Sequence, residues 1–192
     1  MVIRLSSSTN DLILVILLPT LCLMNITNRR NCLVGQINNV LCYFGKLDTI
    51  TKIKLLKSYC TSFYGCELWD FWNSRVEDFC KAFRHGQRSV LKLPFDTHRH
   101  LLPLLCDSIP VCNEICRRFF LFVHRALVGD CEIVKFVIKF SILFGGMNSF
   151  CGRNMLFCSS EFNLYVNDIF SYNFCPAKEL FYEYCNESDV YC

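Results

Sequence analysis

The chain has 192 residues, is 53% hydrophobic and 15% aromatic, and carries a formal net charge of +3. That length holds one domain with a sizeable core, and that composition excludes an intrinsically disordered chain. The net charge points to no class of partner, but its distribution is uneven: residues 29–139 carry 17 Lys/Arg against 10 Asp/Glu, whereas residues 161–192 carry six acidic side chains against Lys178 alone. A basic body with an acidic end fits a surface that meets polyanions, and equally fits ordinary variation along a soluble chain.

Residues 1–28 open on Arg4, a serine-rich stretch and the apolar run LILVILLPTLCLM at 12–24. The run resembles the apolar part of a signal peptide, but with 13 residues and Pro19 inside it is too short for a normal membrane span. No small-x-small cleavage site follows, so neither export nor a membrane span is expected. The sequons at Asn25 and Asn186 matter only to an exported chain.

A first helix is expected over 30–44, from Leu33, Ile37, Val40, Leu41 and Phe44, ended by Gly45. Asp48 or Thr49 caps a second helix reaching residue 64, with Ile50, Ile53, Leu56, Cys60 and Phe63 inward and Lys52, Lys54 and Lys57 off that stripe. The segment GCELWDFW reads as a short helical or irregular connector. A third helix spans 73–91, capped by Asn73 or Ser74, with Val76, Phe79, Cys80, Phe83 and Val90 inward. On its other side Lys81, Arg84, Arg88 and Lys92 share a face, and Pro94 forbids continuation. A short helix broken or kinked at Pro103 follows, then one from Pro110 to about Leu127 with Arg117, Arg118 and Arg125 at its margins, then an apolar helix over 131–144. After Met147 the pattern fails. The expected architecture is therefore all-α, an irregular helical bundle of about five to six helices with poorly ordered ends. Its parts are an N-terminal segment 1–28, a helical domain 29–146 and an irregular, partly acidic segment 147–192.

Fifteen cysteines approach the density of a disulfide scaffold, but their number is odd and most fall on apolar helix faces, as at Cys42, Cys60 and Cys80. Reduced thiols, and so cytoplasm or nucleus, are expected; a secreted or membrane-tethered disulfide protein is the alternative. His98, His100, Cys106, Cys112 and Cys116 cluster, but no Cys-x2-Cys occurs and Cys112-x3-Cys116 is the only close pair, so no metal and no cofactor is expected. No local signature marks a nucleophilic cysteine. His85 and His124 read as solvent-facing or packed. Glu77-Asp78 is the only adjacent acidic pair, its members diverge by one helical step, and there is no Asp-Asp dipeptide or Gly-rich phosphate loop. No small-molecule substrate is implied. What remains is basic: Lys52, Lys57, Lys81, Arg84, Arg88, Lys92, Arg117 and Arg118 are candidates for backbone contacts to nucleic acid, a solvated helix face being the bland alternative.

Two runs extend the reading: NNVLCYFGKLDTITKIKLLKSYCTSFYGCELWDFW and EDFCKAFRHGQRSVLKLPFDTHRHLLPLLCDSIPVCNEICRRFFLFV. They carry, in order, Tyr59-Cys60-Thr61, Tyr64-Gly65, Trp69, the basic helix 81–92, Leu93-Pro94, Thr97-His98 and Arg117-Arg118, with GRNMLFC at 152–158 downstream. Together, over about 29–158, they resemble the region that follows the polymerase core in non-LTR (LINE-type) retrotransposon reverse transcriptases, which are RNA-directed DNA polymerases. The resemblance implies a thumb and following helices that cradle template and primer without doing chemistry. The family's aromatic-Ala-Asp-Asp motif, which holds the metals, is not found in these residues, so no polymerase activity is expected. RNA or an RNA–DNA duplex is the implied partner. A region packed against a catalytic core in the family would expose apolar surface here, which makes self-association, or a non-enzymatic interaction module, the alternative.

Overall fold

The computed structural model describes residues 9–61 and 63–162, with side chains from Asn25 onward. Among the described residues the protein is all-α, with seven α-helices: α1 (Thr9–Tyr43), α2 (Thr49–Cys60), α3 (Ser74–Leu91), α4 (Leu101–Leu105), α5 (Val111–Val128), α6 (Glu132–Leu143) and α7 (Phe150–Phe162). Short 3-10 turns at Cys66–Leu68 and Gly146–Asn148 complete the element order. Among the described residues no helix is long and apolar enough to cross a membrane.

The helix boundaries follow from local chemistry. Asp48 caps α2, its Oδ2 accepting the Thr51 N–H at 2.8 Å and its Oδ1 the Thr51 hydroxyl at 2.7 Å. Asn73 caps α3 through an acceptor contact to the Arg75 N–H at 3.0 Å. At the other end Lys92 adopts φ 56°, and its N–H turns back to the Arg88 and Ser89 carbonyls before Pro94. Pro103 sits in the first turn of α4, where its missing N–H would have no intrahelical partner, so the helix runs through it. Gly65 makes the turn into Cys66–Leu68 at φ 83°, a conformation that favours glycine.

α1 packs on α3 and α2, α5 on the Cys66–Leu68 turn and α6, and α6 on α7. The core is one cluster centred on Trp69, Phe79, Phe119 and Phe120. Its rings meet edge to face, Trp69 on Phe79 at 5.0 Å, Phe63 on Phe79 at 5.2 Å and Phe71 on Phe119 at 5.5 Å. At Gly86, α1 and α3 approach so closely that a Cβ would stand 2.4 Å from Ile37 Cδ1.

Several sequence expectations change; α2 stops at Cys60 rather than near residue 64, and α4 runs through Pro103 rather than breaking there. The first helix begins at Thr9 rather than near Arg30, so part of the N-terminal segment 1–28 is helical; its apolar run consists mostly of good helix formers and the helix continues past Pro19. Residues 150–162, expected to be irregular, form α7, and Asn154, Met155, Cys158 and Phe162 enter the core. On α2 the buried line is Lys52, Leu56 and Cys60, while Ile50 is 67% exposed. Lys52 lays its aliphatic stem inward and its ammonium reaches the Gly45 carbonyl at 3.5 Å, beside the end of α1. Among the described residues the helix count is seven, against about five to six expected. The expectation of poorly ordered ends falls on residues 1–8 and 163–192, outside the described residues.

Candidate nucleic-acid interface

The structure separates the eight candidate cations. Lys57, Arg117 and Arg118, from distant points of the chain, line one half-open cavity of about 340 Å³ between α2, α3 and α5. Leu56, Phe63, Phe83, Ile109 and Val111 give it an apolar lining. Lys57 donates to the Asp107 carbonyl and lies 3.4 Å from its Oδ2. Asp107 is a turn residue at φ 45°, a conformation aspartate tolerates better than most residues.

Glu114 sits between the two arginines. Arg117 pairs with it through Nε at 2.8 Å and Nη2 at 2.9 Å, and Arg118 through Nε at 2.9 Å. Arg118 also donates Nη2 to the Thr61 carbonyl at 3.1 Å, and its guanidinium lies 5.3 Å from the centre of the Phe63 ring. None of these bonds uses the Nη1 of either arginine. Three cations thus face two carboxylates, Glu114 and Asp107, around an aromatic wall.

No protein-family model matches the chain, and neither a curated protein nor a solved structure matches it.

The other candidates lie apart from this cleft. Lys52 is buried on the Gly45 carbonyl. Arg84 is largely buried and pairs with Glu77 at 2.6 Å. Arg88 holds the chain after α3, donating to the Thr97 carbonyl at 2.8 Å through Nη2 and lying over Phe95. Lys81 is exposed and only loosely paired with Asp78, at 3.7 Å. Lys92 is exposed at the end of α3. The basic face drawn from the periodicity of α3 therefore reduces to Lys81 and Lys92 as exposed cations, while Arg84 is paired along α3 itself and Arg88 holds the following loop. Lys54, one turn before Lys57, is exposed as well.

Among the described residues no three His, Cys, Asp or Glu side chains come together in a metal-holding group, and every cysteine is a free thiol. Burial pushes the Cys60 thiol up to about 11 and the Cys66 thiol up to about 12, which opposes thiolate formation at these positions. The cleft partners Thr61, Phe63, Gln87, Ser108 and Glu114 were not singled out by sequence as site residues. Only Glu114 carried a usable signal, standing three and four residues before Arg117 and Arg118.

Burial raises the Glu114 pKa, but the hydrogen bonds from Arg117 and Arg118 outweigh it and hold the carboxyl below its usual value of 4.5. A lowered folded-state value means that the ion cluster stabilises the fold above the unfolded pKa, and that this contribution is lost as pH falls through the folded one. Urea unfolding at about pH 7 and about pH 3 should show a larger acid loss in the wild type than in Glu114→Gln, which carries no ionisable group there. Equal losses in the two proteins would mean that the cluster does not couple to folding.

Proposed function

We propose that the chain is a non-catalytic helical module that binds RNA or an RNA–DNA duplex at the cleft between α2, α3 and α5. The observation that carries this reading is the convergence of Lys57, Arg117 and Arg118 on one aromatic-walled cavity. Cations with donors left over suit phosphate oxygens, and a ring beside them suits an unstacked base. Exposed Lys54 extends the basic rim along α2. The resemblance of residues 29–158 to the thumb and following helices of LINE-type reverse transcriptases supports the same partner. No catalytic step is assigned to these residues.

The test is fluorescence anisotropy of labelled single-stranded RNA and RNA–DNA duplex over a salt series. Binding through about three phosphate contacts gives a slope of log affinity against log salt between roughly −2 and −3. Arg117→Gln leaves Glu114 paired with Arg118, so the fold should survive while the slope becomes shallower by about 1. Circular dichroism checks the fold. A salt-independent signal, or a slope unchanged in Arg117→Gln, overturns the proposal.

A further inference from the structure

α6 is apolar on two opposite sides. Ile138 and Ile142 point inward and are 7% exposed. With successive residues about 100° apart, Leu143, Phe136, Phe140, Ile133, Phe144 and Val137 fall within about 120° on the side facing away from the core. Their exposures are large, 68% for Phe136, 53% for Phe140 and 75% for Phe144. The three rings form a ladder one turn apart, Phe136 to Phe140 at 6.0 Å and Phe140 to Phe144 at 5.3 Å. No charged side chain interrupts this face; Glu132, Lys135 and Lys139 lie together along one edge of it.

We propose that this face of α6 is a homodimer interface, with a second copy of the chain as its occupant. Area is the first argument. The three rings expose on the order of 400 Å² at 150–250 Å² per aromatic side chain. With the neighbouring aliphatic side chains, the patch approaches the roughly 800 Å² that each partner contributes to a standard specific interface. That exceeds the largest apolar patch of a typical monomer, roughly 300–600 Å². Shape is the second argument. The patch is a continuous ridge along a helix about 18 Å long and its C-cap residue Phe144, with contacting rings at i, i+4 and i+8. Such a ridge packs against its own copy across a two-fold axis, ring edges of one helix against those of the other, which is the isologous arrangement that closes a dimer. Exposed Glu132 and Lys139, along one edge of the patch, then fall at the rim. This interface stands independently of the basic cleft, which lies on other helices.

The test uses the full chain. Light scattering and sedimentation equilibrium at micromolar concentrations should give a dimer for the wild type. Phe140→Glu places one charge from each copy at the centre of the interface, so the dissociation constant should rise at least a hundred-fold while the helical circular dichroism stays. Phe95→Glu alters an equally exposed ring on another face and should leave the dimer intact. As a measurement that does not depend on a folded Phe140→Glu variant, a photoreactive phenylalanine analogue at position 140 in a mixture of light and heavy isotope-labelled chains should link the α6 helices of two copies. A monomeric wild type overturns the proposal. So does a dimer that is lost in Phe95→Glu but kept in Phe140→Glu, or a cross-link from position 140 only to residues 163–192 of the same chain.

Discussion

Asn154→Ala should lower the unfolding free energy by about 2–6 kcal/mol, since it leaves two buried backbone groups without a partner, each costing about 1–3 kcal/mol. Asn154 is fully buried on α7. Its Oδ1 accepts the Phe71 N–H at 3.1 Å and its Nδ2 donates to the Trp69 carbonyl at 2.7 Å. Those two backbone groups lie in the connector between the Cys66–Leu68 turn and α3, where neither a helix nor a sheet ladder supplies a partner. One amide therefore completes the hydrogen bonding of a connector more than eighty positions earlier in the chain. The Trp72 indole N–H, donating to the Arg153 carbonyl at 3.1 Å, and the Arg153–Asp70 ion pair at 3.2 Å, join the same two segments at a more exposed position. Chemical unfolding gives the magnitude, and hydrogen exchange should show faster opening of α7 amides. Asn154→Asp separates the two bonds: the carboxylate still accepts from Phe71 but meets the Trp69 carbonyl with a second acceptor, so it should be at least as damaging as alanine. A loss below about 1 kcal/mol in Asn154→Ala would mean that the connector finds other partners.

The parts of the fold that were legible in the sequence are those set by local chemistry. α3 is the clearest: a capping Asn73, apolar residues at 76, 79, 80, 83 and 90, and Pro94 beyond, all of which the structure uses as read. The Asp48 cap of α2 is another. The α7 segment was not legible because Gly152, Asn154 and its serines favour turns locally, and its helix is docked by hydrogen bonds to the distant connector. Lys52 was misplaced for a similar reason: periodicity puts it off the apolar stripe, but the end of α1 supplies a carbonyl for its ammonium. The candidate interface shows the same division. Angular spacing on α3 groups Lys81, Arg84, Arg88 and Lys92, yet it cannot show that Arg88 is held by Thr97 of the following loop. Nor can it show that Lys57 from α2 joins Arg117 and Arg118 from α5 around one cavity. On α6 the apolar residues occur on both sides, so a helix is legible while the choice of buried face is not; packing against α5 and α7 selects Ile138 and Ile142.

Phe119→Ala should cost about 3–5 kcal/mol, the range for truncating a buried aromatic ring in a core that relaxes only partly. Phe119 has no solvent exposure, and its ring meets Phe71 at 5.5 Å, Phe120 at 6.1 Å and Phe150 at 6.5 Å. The ring thus touches α5, the connector and α7 together, so its removal opens a cavity where three segments meet. Phe119→Leu keeps most of the volume and should cost less, about 1.5 kcal/mol, with the difference reporting the lost edge-to-face contacts. Phe71 ties this site to Asn154, since its ring packs on Phe119 while its N–H donates to the Asn154 side chain. The two alanine substitutions should therefore not add. Once either has loosened α7 from the connector, the second removes contacts already weakened, and the double variant should lose less than the sum by about 0.5–3 kcal/mol. A double-mutant cycle from urea unfolding measures this coupling. Strict additivity would mean that the ring and the amide hold α7 by separate means, so that the connector is not the shared element through which α7 is docked.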